Sequence, residues 1–198
     1  RLPVGMRDLY VSVDGDRTGA EFLAFVAPTG TKLVVSDVDG TLTEYENAYP
    51  ESVALGTTVA PHPDAPSALQ MVKSRGYAVV YVTARGDRFT QDTRDWFATN
   101  NFPRGPLRMP TAIITVPGEE TVEFKRSALE ALSAFEVEAG IGNRASDITA
   151  YMESGLPANR VFIKLPEFDG EIAQQIMAGV ATGFQAYADL RDMHLASM

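Results

Sequence analysis

From Lys32 onward the chain is a succession of short apolar runs separated by segments of helical periodicity. Leu33 to Ser36, Ala78 to Val82, Ala112 to Val116, Val137 to Ile141 and Val161 to Ile163 are apolar without alternation, which predicts strands buried on both faces. Between and after them, Ser67 to Ser74, Thr90 to Thr99, Thr121 to Phe135, Ser146 to Glu153 and Glu171 to Leu190 place apolar residues three and four apart, which predicts helices with one packed face. In the last of these, Ile172, Ile176, Val180, Phe184 and Tyr187 form a stripe expected to lie on one continuous core-facing helix. Strands alternating with helices are the mark of parallel βαβ units. The predicted fold class is therefore α/β, a Rossmann-like three-layer sandwich with a five-stranded, mostly parallel sheet. The first thirty residues have another texture. Leu9 to Val13 alternate and run into Asp14-Gly15, and Glu21 to Val26 follow before Pro28-Thr29-Gly30, so a short β segment is expected ahead of the sheet. The expected division is a β-rich segment over 1–30 and an α/β domain over 31–198.

Composition narrows the picture. A chain of 198 residues with 45% hydrophobic and 22% charged residues suits one globular domain, and no apolar run approaches the length of a membrane span. A soluble chain is expected. Its net charge of -9 opposes binding to nucleic acid or to anionic surfaces, so no nucleic-acid partner is expected. The absence of cysteine excludes disulfides and thiolate metal sites and leaves the compartment open. The chain begins at Arg1 without an initiator Met, and something is expected to precede it. The oligomeric state is left open.

Chemistry concentrates where the first buried run ends, at Asp37-Val38-Asp39-Gly40-Thr41. Positions two apart on an extended chain project to the same side, so Asp37 and Asp39 can face one reacting group at the mouth of the sheet, while Gly40 lets the backbone turn. Two neighbouring carboxylates repel, and the arrangement makes sense when a hard cation such as magnesium lies between them. Val13-Asp14-Gly15-Asp16 has a similar composition but reads as an exposed turn. His62 and His194 are the only histidines and lie in a loop and a tail, which disfavours a histidine-based zinc site or triad. Arg85-Gly86-Asp87 directly follows a buried run and reads as part of a site mouth rather than as an adhesion tripeptide. Trp96 and Phe97 are expected to pack on the sheet.

Asp37-x-Asp39-Gly40-Thr41 after an apolar strand resembles the first motif of the haloacid dehalogenase superfamily, and three later stations follow in order. Thr83, with Ala84 and Arg85, stands where that family places a hydroxyl on the phosphoryl oxygens. Lys125 stands where it has a lysine that neutralises nucleophile and phosphate. Asn143 and Asp147, in Gly142-Asn143-Arg144-Ala145-Ser146-Asp147, stand where it completes a metal site. The resemblance implies Asp37 as nucleophile and Asp39 as acid/base, with Thr83 and Lys125 as catalytic partners. It implies a magnesium ion on Asp37, the Asp39 carbonyl and Asn143, with Asp147 bound directly or through water. Gly40, Thr41, Ala84, Arg85 and Arg144 are the candidate substrate-binding residues.

Both stretches where the superfamily inserts a cap are short, so an open, capless site is expected, suited to a bulky or surface-bound substrate. Gln91-Asp92-Thr93-Arg94, Gly105-Pro106-Leu107, Val122-Glu123-Phe124-Lys125 and Tyr151, added to the motifs above, resemble the catalytic domain of lipins, which are magnesium-dependent phosphatidate phosphatases. The same domain in large phosphatidylinositol transfer proteins resembles a phosphatidate-binding module with degraded acids. Gly15-Asp16-Arg17 resembles the lead-in from an immunoglobulin-like partner domain. Both acids stand intact here, which favours an enzyme with a phosphomonoester substrate such as the membrane lipid phosphatidate. The alternatives are a non-catalytic phosphatidate-binding module and a phosphatase for a soluble or protein substrate. No basic amphipathic helix for membrane docking is visible.

Overall fold

The computed structural model describes residues 2–111 and 118–198. It opens with an antiparallel hairpin, β1 (Gly5–Ser12) and β2 (Gly19–Val26), paired from Gly5 opposite Val26 to Ser12 opposite Gly19. The expected strands are present, but the alternation over Leu9 to Val13 is not matched by burial: Leu9 is half-buried and the next four residues are exposed, as is Phe22, and among the described residues the hairpin pairs with no strand of the main sheet.

The main sheet is built from β3 (Lys32–Ser36), β4 (Ala78–Val82), β5 (Leu107–Arg108), β6 (Glu136–Gly142), β7 (Val161–Lys164) and β8 (Thr182–Phe184). All five pairings are parallel, in the order β5-β4-β3-β6-β7-β8. The chain builds outward from β3 on one side and then returns to build from β6 on the other. The order therefore reverses between β3 and β6, and in open parallel sheets ligands bind beyond the carboxyl ends of the strands at that point.

Alternate residues of β3 feed two cores. Val34 joins Val79, Tyr81, Ile141 and Phe162 on one face, under α2 (Ala65–Ser74) and α3 (Thr90–Thr99). Leu33 and Val35 join Val80, Val82 and Ile163 on the other, under α4 (Glu119–Glu130) and α5 (Ala145–Glu153). This is the expected three-layer sandwich. Phe97 is buried against Tyr81 with ring centroids 4.1 Å apart, and Trp96 packs on the same cluster.

Four details differ from expectation. Among the described residues the sheet has six strands rather than five, since β5 and β8, neither anticipated, form its two edges. The stretch 171–190 is not one helix: α6 (Asp169–Met177) ends at Gly179, whose φ of +69° leaves the helical region, and the chain continues as β8 and a short α7 (Tyr187–Asp189). A helical apolar stripe and a turn followed by a buried strand place Ile172 and Phe184 equally well in the core, which is why periodicity alone misled. The helix carrying Lys125 stops at Glu130 instead of Phe135, and α1 (Ala48–Leu55) was not anticipated; its Pro50 falls in the first helical turn, where proline is tolerated. The strand expected at Ala112 to Val116 lies outside the described residues, and β5 pairs with β4 just before it. Among the described residues no helix is long and apolar enough to cross a membrane.

Candidate active site

β3 delivers Asp37 to the switch point. Its main-chain N–H donates to the Ile141 carbonyl at 2.9 Å, which extends the β3–β6 ladder by one step and fixes where the carboxylate emerges. Asp37 is 4% exposed. Its Oδ1 accepts from Lys125 Nζ at 2.9 Å and its Oδ2 from Thr41 Oγ1 at 3.0 Å. Lys125, also 4% exposed, reaches from α4 and donates its second hydrogen bond to Asp147 Oδ1. Burial works against its charge, but the Asp147 and Asp37 carboxylates outweigh burial and push its pKa upward, so Lys125 is a fixed cation.

Asp147 is fully buried in the first turn of α5. Its Oδ2 accepts the main-chain N–H groups of Asn143 and Arg144, both at 3.1 Å, which is how an acid three residues into a helix satisfies the free donors at its start. Both oxygens of Asp147 are thus engaged within the protein.

Asp39, 19% exposed at its side chain, lies on the open side. Its Oδ2 accepts from Thr83 Oγ1 at 2.9 Å and from Arg85 Nε at 3.3 Å, and its Oδ1 pairs with Arg85 Nη2. The guanidinium fork is oriented by a hydrogen bond to Thr93 Oγ1 at 3.0 Å and by the Tyr49 ring, whose centroid lies 3.6 Å from it. Thr83 and Arg85 both follow β4, so the second strand end supplies both groups that hold Asp39. Ala84 lies between them, half-buried.

Asn143, fully buried at the end of β6, accepts from Thr41 Oγ1 at 3.2 Å and donates to Glu46 Oε2 at 2.9 Å. Arg144 stacks on Phe168 at 3.9 Å and pairs with Glu171 at 2.8 Å. Gly40 has a φ of +67°, and a side chain there would lie 2.1 Å from Asn143 Nδ2 and 2.9 Å from Glu46 and Glu167 oxygens. The residues anticipated from sequence at the three strand ends and on α4 are therefore brought together. Glu46, Glu167, Tyr49 and Thr93 were not anticipated. Glu46 and Glu167 look like ordinary solvated acids in sequence, and only the crossing of two remote loops, where Glu46 N–H donates to Glu167 at 2.9 Å, makes them neighbours of Gly40.

The electrostatics carry excess negative charge. Burial raises the Asp37 pKa to about 8 against the pull of Lys125, with Asp147, Glu46 and Asp39 adding to the rise. Burial likewise raises Glu46 to about 7, with Asn143, Lys125 and Arg144 pulling the other way and Asp39 adding to the rise. The donors brought together are hard oxygens, the Asp37 carboxylate and the Asn143 amide, to which the resemblance adds the Asp39 main-chain carbonyl. Thr41 has one hydroxyl proton, yet Asp37 Oδ2 and Asn143 Oδ1 both turn to it, so these oxygens hold acceptor capacity in a shared region. A magnesium ion fits this set in charge and in ligand type. Among the described residues no three His, Asp or Glu side chains converge as a metal cluster, and the set named here does not require one, since two of its three members are an amide and a main-chain carbonyl.

An apolar strand delivering paired acids to the switch point of a parallel sheet, with a buried lysine and an amide beside them, defines an α/β domain of phosphatase-type fold. A family model described as the LNS2 domain of PITM 1-3 matches residues 34–164, and the chain belongs to that family. It is 29% identical over 164 residues to human Membrane-associated phosphatidylinositol transfer protein 3, a match covering 82% of this chain and 16% of that protein. It is 24% identical over 179 residues to mouse Phosphatidate phosphatase LPIN3, covering 82% and 21%. The chain thus spans a small part of the length of either relative. Among solved structures, D,D-heptose 1.7-bisphosphate phosphatase from B. bronchiseptica, complexed with magnesium and phosphate, superposes with a TM-score of 0.61 at 14% identity, covering 85% of this chain and 100% of that one. At that identity the likeness is one of fold.

Proposed function

We propose that the chain is a magnesium-dependent phosphomonoester hydrolase acting through an aspartyl-phosphate on Asp37, with phosphatidate or a similarly bulky phosphomonoester as substrate. The observation that carries this reading is the buried Asp37–Lys125–Asp147 chain beside an Asp39 held by Thr83 and Arg85. The Asp37 carboxylate forms a bond to phosphorus as the bond to the leaving oxygen breaks, and Asp39 supplies that oxygen with its proton. Water then attacks the same phosphorus, gives a proton to Asp39 and releases phosphate, regenerating the Asp37 carboxylate. Lys125 fixes one nucleophile oxygen and its charge faces the phosphoryl group. Thr83, Ala84 and Gly40 line the phosphoryl position, with Thr41 orienting Asp37 and with Arg85 and Arg144 as the cations available to the remaining anionic oxygens. Magnesium, held by Asp37, the Asp39 carbonyl and Asn143, would spread the negative charge of the transition state. Asp147, with both oxygens engaged, would act on it through water and through Lys125.

A second reading is a non-catalytic phosphatidate-binding module, as the match to transfer-protein relatives suggests. The observation favouring it is the Arg85 fork, which occupies both oxygens of the acid/base candidate. Intact Asp37 and Asp39 favour the enzyme. Phosphate release from an aryl phosphate with and without magnesium separates the two, since the module releases none. Phosphatidate in mixed micelles tests the substrate: indifference to it removes the lipid assignment and leaves a soluble or protein phosphomonoester.

A further inference from the structure

Two tyrosines from opposite helical layers meet beneath the nucleophile. Tyr151, on α5, donates to the Ile141 carbonyl at 3.0 Å, the same oxygen that accepts the Asp37 N–H. Tyr187, at the start of α7, comes from the other face of the sheet and donates to the Thr41 carbonyl at 2.8 Å. Its hydroxyl is buried, its residue being 1% exposed, and Asp37 is close enough to add to the upward push that burial gives its pKa. Tyr187 lies beyond residues 34–164, the span the family model matches.

The Thr41 segment is the link between nucleophile and metal position. Thr41 Oγ1 reaches Asp37 Oδ2 and Asn143 Oδ1, so a shift of this one residue moves an oxygen of each. Its neighbour Leu42 is held on the other side, where the His62 N–H donates to the Leu42 carbonyl at 2.8 Å. The Thr41 carbonyl is bonded by Tyr187, and the residue itself is fully buried. An unpaired buried carbonyl is costly, so without that hydroxyl the segment has reason to rotate toward another donor.

We propose that Tyr187 is a positioning residue for the site: its hydroxyl fixes Thr41, and through Thr41 the orientation of the Asp37 carboxylate and of the Asn143 amide. The chain thereby completes its nucleophile loop with a C-terminal segment from outside the matched family span. The catalytic part of this inference rests on the phosphohydrolase reading above, and its metal-binding part does not.

The test uses the full chain and two matched variants. Tyr187→Phe removes only the hydroxyl and keeps the ring that packs edge-on against Phe184 at 5.1 Å. Tyr81→Phe removes another buried tyrosine hydroxyl bonded to a main-chain carbonyl, that of Pro103 at 2.6 Å, away from the site. Aryl phosphate hydrolysis, thermal melting and calorimetric magnesium titration are measured on wild type and both. The expected result is a kcat lowered about tenfold by Tyr187→Phe with KM within about twofold, and magnesium affinity weakened by about tenfold, since groups that orient metal ligands carry effects of this order. Tyr81→Phe is expected to lower the melting temperature and to leave kcat and magnesium affinity at wild-type values. Wild-type kcat and affinity in Tyr187→Phe, or equal losses in both variants, overturn the proposal, as does a Tyr187→Phe chain that does not fold. If the wild type binds magnesium but releases no phosphate, the phosphohydrolase reading fails alone, and Tyr187 is judged on the titration: weaker binding supports it and unchanged binding overturns it. A wild type that neither turns over nor binds magnesium overturns both.

Discussion

Lys125 Nζ lies 2.9 Å from Asp37 Oδ1 with both side chains buried, and the same ammonium also pairs with Asp147. One cation therefore serves two carboxylates, one at the end of β3 and one in the first turn of α5, and it links the chemistry of the site to the stability of the domain. Replacing it by an apolar side chain of similar length strands both acids in a low-dielectric setting. Lys125→Met is expected to abolish turnover and to cost about 3–5 kcal/mol of stability, the range for removing one member of a buried ion pair. Denaturant unfolding measures the second effect. Adding Asp147→Asn should recover part of it, since one of the stranded charges is then gone.

Asp39 meets a different environment, half-open and held by Thr83 and Arg85. Asp39→Asn keeps the shape and the acceptor for Thr83 but loses proton transfer. A kcat lowered roughly 10²- to 10⁴-fold with little change in KM is the expected outcome of steady-state kinetics on an aryl phosphate.

Gly40 has no room for a side chain. Its φ of +67° disfavours any other residue, and a Cβ would meet Asn143 Nδ2 at 2.1 Å. Gly40→Ala is expected to lose about 1–2 kcal/mol from the backbone conformation alone and to displace Asn143. A melting curve and a magnesium titration should both shift.

His62 gives the fold a testable pH response. Burial, then the charge of Lys164, lower its pKa to about 4, against a smaller upward pull from its Gly40 contact. Below the ordinary histidine value of 6.5 the unfolded chain takes up a proton that the folded chain refuses until about pH 4. Its contribution to stability is therefore complete above pH 6.5 and declines as pH falls through that window. Asp37 and Glu46, raised by burial, act in the opposite sense, contributing stability at low pH that is lost as pH rises toward 7 and 8. The difference in unfolding free energy between wild type and His62→Gln isolates the histidine: it should change steadily between pH 6.5 and 4 and be flat above 7.

The catalytic frame was legible because each part has a local signature. An apolar run ending in acids at Asp37 and Asp39, a second ending at Thr83 and a third at Asn143 are all strand ends, and a parallel sheet must bring such ends to one edge. Lys125 was legible through its motif. What escaped was set by contacts distant in sequence. Glu46 meets Glu167, and Tyr187 meets Thr41, through pairings that no periodicity encodes. The grip of the Arg85 fork on Asp39 also escaped, since it depends on the Tyr49 ring of α1, another contact distant in sequence. The single helix expected over 171–190 failed for a related reason: the apolar spacing satisfied a helix, while Gly179 and the open edge of β7 favoured a turn and a sixth strand.

Whether Asp37 attacks phosphorus in a magnesium-dependent hydrolysis is decided by phosphate release from an aryl phosphate in wild type and in Asp37→Asn, each with saturating magnesium and with a chelator. Release is expected from the wild type only when magnesium is present, and none from Asp37→Asn in either condition. Wild-type rates in Asp37→Asn, or release indifferent to the chelator, would contradict this mechanism.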